Sequence, residues 1–261
     1  MRPRDLPAVL YVAAVLAFVF LPVVTLVQFS FQDGLLPVPP FRGVSLRWYE
    51  AMFADRRLMA ALRNSVAVAG LSSAAATVLG FLAAYGLARR RPRFAYAIQF
   101  LLMAPIAVSY LIIGMGLLIV FNWLALPKSL LAVGVGHVVI NLPLAFAILY
   151  SQMGEHQANV ERAALDLGAS EAKAMLYVTV PMLWPALLAA FFIAFTLSWD
   201  EFVIAFLLSR FDATLPVIIW SMLRSGLSPE LNAVGTFVFG TSIVLVLCVE
   251  LLLWRGRGRN G

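Results

Sequence analysis

The sequence predicts an all-α integral membrane protein with six transmembrane helices, and three observations predict it. Of the 261 residues, 62% are apolar and only 12% are charged, where a soluble domain has about 45–50% and about 25%. Mean hydropathy is +0.93. The charges are also placed so that six apolar stretches lie between them. Each approaches or exceeds the roughly 20 residues that a helix needs to cross a bilayer.

Taken in order, the spans are about 8–30, 62–88, 95–121, 129–153, 182–208 and 231–254. The first rests on Leu6–Gln32, 27 residues without a formal charge. The second, third and fourth rest on Asn64–Ala88, Phe94–Pro127 and Ser129–Gly154. The fifth begins in Ala174–Trp199, is interrupted by Asp200 and Glu201, and resumes to Ser209; the sixth rests on Leu231–Val249. The first apolar run exceeds the roughly 7–15 residues of a signal-peptide core, and no small-x-small cleavage site follows it. We read it as a retained helix. No strand pattern, long linker or low-complexity tract appears, so residues 1–261 read as a single transmembrane domain with a short basic tail. The segment 31–61, with Pro37, Pro39 and Pro40, is the longest outer loop and is expected to pack on the outer face.

Orientation follows from the positive charges. Eleven of the 19 Lys and Arg residues fall in one set of loops: Arg2 and Arg4; Arg89, Arg90, Arg91 and Arg93; Arg162 and Lys173; Arg255, Arg257 and Arg259. Short, Arg-dense loops stay cytoplasmic. Both termini are then inside, as an even number of spans requires. The pI of about 9.9 is thus an orientation signal, and the composition excludes a nucleic-acid-binding domain, a cytosolic enzyme and a disordered chain. The lone Cys248 excludes an internal disulfide and a cysteine-built metal site. With only two His, no metal site is expected.

Several positions inside the spans invite two readings. Ser72, Ala76, Gly80 and Ala84 recur every four residues, and small residues at this spacing let helices approach closely in lipid. They mark a contact within the chain or a subunit interface. Pro105 and Pro143 either free carbonyls to line a cavity or simply kink their helices. His137 and Asn141, four apart on the fourth span, read as an interhelical hydrogen bond or as solute ligands.

The segment 155–181 is too long for a turn and too polar to span. Val160, Ala163, Ala164 and Leu167 recur at i, i+3, i+4 and i+7, one face of a helix. Asn159 is a candidate N-cap, and Glu161 would then lie in the first turn, where the helix dipole favours an anion. Gly168 can end this helix and Ser170 can cap a second. The product is a helix–turn–helix elbow lying across the cytoplasmic surface.

These residues resemble a known family. The pattern Glu-Ala-Ala, three residues, Gly, nine residues, Ile-x-Leu-Pro marks the permease subunits of bacterial ABC importers. Ala163, Ala164, Gly168 and Pro181 fall on that register, with Val178 and Val180 at the two aliphatic places. Arg162 stands where the family has Glu, and Glu161 lies one residue earlier. The runs 195–209 (FTLSWDEFVIAFLLS) and 214–233 (TLPVIIWSMLRSGLSPELNA) are similar to the second permease subunit of spermidine/putrescine-type importers. The resemblance implies the type I permease fold of an ABC importer, in the bacterial inner membrane. It also implies four kinds of neighbour: an ABC ATPase dimer, a homologous second permease, a periplasmic substrate-binding protein and the lipid bilayer. By the same resemblance, Glu161, Arg162, Ala163, Ala164, Asp166, Gly168 and Ala169 form the coupling segment that sits in a cleft of the ATPase.

No GxxxxGK[ST] occurs, and neither Lys128 nor Lys173 follows a Gly-rich turn. The GxGxxG at Gly256, Gly258 and Gly261 has no strand before it and no helix after it, and reads as chance. The chain is therefore expected to be no enzyme and to bind no cofactor, with ATP and Mg on the partner ATPase.

Asp200 and Glu201 are the chemical oddity. On a straight span starting near Met182, Asp200 lies about 27 Å along the axis, in the outer part of the membrane. A charged carboxylate there costs up to roughly 2.5–3.5 kcal/mol, so it faces water or a partner. Thr196 shares its face at i, i+4. Asp200 and Glu201 could compensate a cationic cargo, with Trp199 and Trp220 adding cation–π attraction. They could equally pair with Arg210, Arg224 or a second subunit and fix a gate. The segment 214–226 reads as a short amphipathic helix, with Pro216 in its first turn and Gly226 as its stop, followed by Ser228, Pro229 and Glu230 at the start of span six. Glu250 can snorkel to the headgroups.

The expected function is a transmembrane permease subunit carrying a small cationic solute, polyamines first. The alternatives are another cargo in the same machine (another amine, an aminophosphonate or a metal complex), or a self-sufficient secondary transporter. An intramembrane enzyme is the remaining class, and no nucleophile–base motif supports it.

Overall fold

The computed structural model describes residues 6–36, 41, 43–90, 92–226 and 228–257. Pro37, Pro39, Pro40, Arg2, Arg4, Arg91, Arg259, Gly258 and Gly261, on which expectations above rest, lie outside these, as do the side chains of Cys248 and Glu250. The described chain is helical: α1 Leu6–Ser30, α2 Arg47–Ala54, α3 Arg56–Arg90, α4 Ala95–Met103, α5 Tyr110–Trp123, α6 Leu130–Ser151, α7 Glu155–Asp166, α8 Glu171–Ala174, α9 Val180–Met182, α10 Trp184–Trp199, α11 Val203–Leu208, α12 Leu215–Ser225 and α13 Pro229–Arg257. Four helices are long and apolar enough to cross a membrane, and there are up to six spans if each of two bent pairs counts as one.

Both departures from straight spans have a proline at the break. The third span was expected over about 95–121, with Pro105 as a kink or a source of free carbonyls. Instead α4 passes into a 3-10 turn, Ala104–Ala107, with Pro105 in it, and the chain bends by 108° before α5. The fifth was expected over 182–208. It instead begins at Glu171, bends by 73° at Leu183 and stops at Trp199. Pro181 has no N–H to give to the carbonyl of Tyr177, four residues back. Just upstream the chain takes a wider π turn over Met175–Thr179, closed by the Val180 N–H on the Met175 carbonyl. Pro185 then sits in the first turn of α10, where a missing N–H costs nothing. Pro143, by contrast, lies buried within an unbroken α6.

The second span starts earlier than its charge-free window. Asp55 Oδ1 accepts from the N–H groups of Arg57 and Leu58 at 2.7 and 3.3 Å, so α3 takes in Arg56, Arg57 and Arg63 as its first turns.

The chain forms two compact units. One comprises residues 1–59 and 218–242. In it the segment after α1 folds back through a bridge between Gln32 and Val44. Trp48 Nε1 donates to the Gln32 carbonyl at 2.8 Å, and Ser30 and Tyr49 hydroxyls meet at 2.8 Å. Phe53 on α2 packs edge-on against Phe237 on α13, with centroids 5.7 Å apart.

The other unit comprises 60–217 and 243–261, and it holds both candidate sites. Among the described residues, two apolar clusters lie in its core. Phe81, Ala84, Leu87, Ala145, Phe146 and Leu149 build one, between α3 and α6. Val68, Val133, Ile140, Ile204, Ala205 and Leu208 build the other, around α11. The four small residues of α3 settle their double reading here. Ser72, Ala76 and Ala84 are at most 2% exposed, and a Cβ on Gly80 would stand 2.9 Å from the Phe146 backbone nitrogen. This face is an intramolecular helix–helix contact.

Candidate functional site

The elbow is built by local backbone chemistry. Helix α7 starts after Gly154, not at Asn159, so Asn159 is interior and Glu161 lies in the second turn. The reason is that Gly154 leaves the fourth span in extended backbone, φ −75° and ψ −177°, and the next N–H groups can begin a helix at once. At the other end, Gly168 has φ +90°. Its N–H bonds the Leu165 carbonyl at 2.9 Å, and the Ala169 N–H bonds that of Ala164 at 3.0 Å, the paired closure of a Schellman motif. Ser170 then caps α8, its Oγ accepting from the Lys173 N–H at 3.4 Å. A Cβ at φ +90° is strained by about 1–3 kcal/mol. Gly168→Val is therefore expected to lower the unfolding midpoint of the purified chain, read by thermal scanning in detergent, whereas Gly168→Asn should cost less.

The expected apolar stripe faces away from the unit. Val160, Ala163 and Leu167 are exposed, Leu167 at 90%. Arg162 is exposed too, and its Nη2 donates to Asn159 Oδ1 at 2.6 Å. Asp166 and Gly168 are exposed, while Ala164 and Ala169 are half-buried. Glu161 is the exception. It is 4% exposed, and Arg89 grips it in a fork, Nε to Oε2 at 2.6 Å and Nη2 to Oε1 at 2.8 Å. Thr179 Oγ1 adds a third bond to Oε1 at 2.7 Å.

The second site is the break after α10. Asp200 ends the helix and is exposed, with no ion pair among the described residues. Glu201, one residue on, is 6% exposed. Its carboxylate accepts from the Ile204 N–H at 3.1 and 3.0 Å and from the Ala205 N–H at 3.1 Å, capping α11. His137 Nε2 stands 3.3 Å away, a close approach without hydrogen-bond alignment. The other ring nitrogen, Nδ1, meets Ser198 Oγ at 2.6 Å, and Ser198 Oγ meets Ser72 Oγ at 3.0 Å. A polar thread thus runs from α3 through α10 and α6 to the start of α11. Asn141, one turn along α6 from His137, finds no partner among the described residues.

The other tentative path residues divide. Trp199 is 3% exposed, its ring stacked on Phe195 at 6.5 Å. Thr196 is half-buried and its Oγ1 donates to the Phe192 carbonyl at 2.9 Å. Trp220 lies on α12, 42% exposed. Arg210 lies over its neighbour Phe211, with its Cζ 4.8 Å from the ring, rather than on either acid.

Sequence reasoning missed the roles of Arg89, Thr179 and Ser198. One signal was available: an acid in a span needs a partner, and His137 is the basic-capable side chain deepest within a predicted span.

Comparison with known proteins accounts for this architecture. Residues 76–256 match the family model described as the binding-protein-dependent transport system inner membrane component. The putrescine transport system permease protein PotI of Escherichia coli K12 is 35% identical over 231 residues, 85% of this chain and 82% of PotI. The spermidine/putrescine transport system permease protein PotC of the same organism is 28% identical over 243 residues, 93% of this chain and 92% of PotC. A solved bacterial alginate ABC transporter, in complex with its alginate-bound periplasmic protein, contains a chain of the same fold. It superimposes with a TM-score of 0.72 at 18% identity, covering 97% of this chain and 95% of that one. The chain belongs to the family of inner membrane components of binding-protein-dependent transport systems, and it is a permease subunit of an ABC importer.

Proposed function

We propose that the permease carries small cationic solutes, polyamines such as putrescine and spermidine, and that Asp200 lines their path. The observation that carries the cargo reading is the unequal fate of two adjacent acids. Glu201 is consumed by backbone amides and His137, whereas Asp200 stays exposed at an unwound point between half-helices. Unwound backbone at membrane depth is tolerated where it lines a cavity, and breaks between helices are where transporters hold solutes and ions. An ammonium group there would compensate the Asp200 charge. PotI and PotC, named as polyamine permeases, support the same cargo. The alginate transporter shows why fold alone would not, since its cargo is an acidic polysaccharide.

In this reading both termini are cytoplasmic and a second permease completes the path. An ATPase dimer, which binds the ATP and Mg, docks on α7 and the Gly168 turn. The exposed Val160, Ala163 and Leu167 are the support for that docking, because an apolar strip on a polar extramembrane helix wants a protein partner. A periplasmic binding protein delivers the solute from the other side. The test is uptake of radiolabelled putrescine and spermidine by vesicles holding the complete importer. Asp200→Asn is expected to lower uptake at least tenfold while the amount of assembled complex stays within twofold. Unchanged uptake would remove Asp200 from the path.

A further inference from the structure

We infer that Glu161 works inside the chain, as a charged pin that locks α7 to the end of α3 and to the π turn, and that Arg162 is the neighbour that faces the docking partner. The inference rests on the docking reading above and goes beyond it, by saying how a push on α7 reaches the membrane.

Adjacent helical residues point about 100° apart, so Glu161 and Arg162 meet different surroundings. The structure separates them cleanly. Arg162 is exposed and, among the described residues, held by its own helix alone, on Asn159 Oδ1 and the Ala158 carbonyl. Glu161 is buried, and both its oxygens are taken by donors from two other elements. With three of its roughly four acceptor sites filled and only 4% of it exposed, this carboxylate presents little to a second protein.

The two residues that meet at Glu161 have different mechanical addresses. Arg89 lies in the last turn of the 35-residue α3. Thr179, 0% exposed, lies in the π turn that leads through α9 into α10. A forked Arg–carboxylate pair fixes orientation as well as distance, because two parallel bonds resist rotation. A displacement of α7 is therefore passed at one point to two spans. The other cross-link in this region does not do the same. Arg90 and Glu171 are 3.1 Å apart but 78% and 75% exposed, and a solvated pair of that kind holds little.

The test uses the whole importer reconstituted with its ATPase, partner permease and binding protein. Two quantities are read: the ATPase recovered with the permease, and the ATP hydrolysed per putrescine imported. Glu161→Gln keeps the size and loses the charge. It should retain the ATPase within twofold while raising ATP hydrolysed per putrescine at least tenfold. Thr179→Val should raise the ratio severalfold. The exchange Arg89→Glu with Glu161→Arg should restore at least half of the coupling that either single change removes, a rescue that loss of packing would not allow. An unchanged ratio in assembled Glu161→Gln overturns the pin. So does a tenfold loss of ATPase in Glu161→Gln that Arg162→Ala does not share, since Glu161 would then face the partner. If Glu161→Gln fails to assemble, the exchange decides: recovery upholds the pin, and no recovery overturns it. Failure of the unsubstituted permease to retain the ATPase would instead overturn the docking reading, and the pin's part in transport with it.

Discussion

Glu201→Ala is expected to destabilise the chain by about 3–5 kcal/mol, the usual cost of stranding one partner of a buried pair. The N–H groups of Ile204 and Ala205 lose their acceptor together, and the ring of His137 loses the carboxylate 3.3 Å away. None is near water, because Ile204 and Ala205 are 0% exposed and His137 is 1% exposed. Helix α11 has only six residues, too few to hold itself without its cap and its packing. Glu201→Gln keeps one oxygen for the amides and gives up the second oxygen and the carboxylate charge, so about 1–3 kcal/mol is expected. The measurement is the unfolding midpoint of the purified chain in detergent, with His137→Ala and the double change completing a thermodynamic cycle. Equal losses for Ala and Gln would mean that the charge, and not the cap, holds α11.

Gly80→Val is the second large effect, and its origin is steric. The added Cβ would sit 2.9 Å from the Phe146 nitrogen and 3.1 Å from the Ala145 carbonyl carbon. Both are main-chain atoms of α6 that no rotamer change can move. Overpacking of this kind costs about 1–3 kcal/mol or more, and the two further methyls of Val add to it. Gly86 is the internal control. Nothing lies within 4 Å of a Cβ there, and Ala is the better helix former by about 1 kcal/mol. Gly86→Ala is thus expected to be neutral or mildly stabilising when Gly80→Val and it are compared by the same unfolding midpoint in detergent. If the two changes had the same effect, close approach of α3 and α6 at Gly80 would be wrong.

The helical membrane architecture was legible from charge spacing, because a charge in hydrocarbon is costly enough to show as a gap pattern. The elbow was legible from Gly168 and Ser170, whose conformational preferences are local. The bends at Pro105 and Leu183 were less so. A hydropathy window measures how much apolar chain is available, not its path, and Pro143 shows that a proline in a span need not break it. The start of α3 was missed because Arg56, Arg57 and Arg63 ended the apolar window while Asp55 capped the helix underneath them. Arg89 served as a topology signal and hid its second role. That Arg89 meets Glu161, 72 residues away, is a tertiary fact with no local signature. The split between Asp200 and Glu201 has the same character. Neighbouring identical charges became a structural cap and an exposed acid only once α11 and α6 were placed.

The five residues Met175–Thr179 wind more loosely than the turns on either side. Each residue of an ordinary helix advances the azimuth by about 100°, so a single deletion that tightened this stretch would rotate Pro181 and all of α10 relative to the elbow. Thr179 would then leave Glu161, and Ser198 would leave His137. Homologous permeases should therefore be spliced before Ser170 or beyond Trp199, since a join between those points would have to conserve helical phase as well as residue identity.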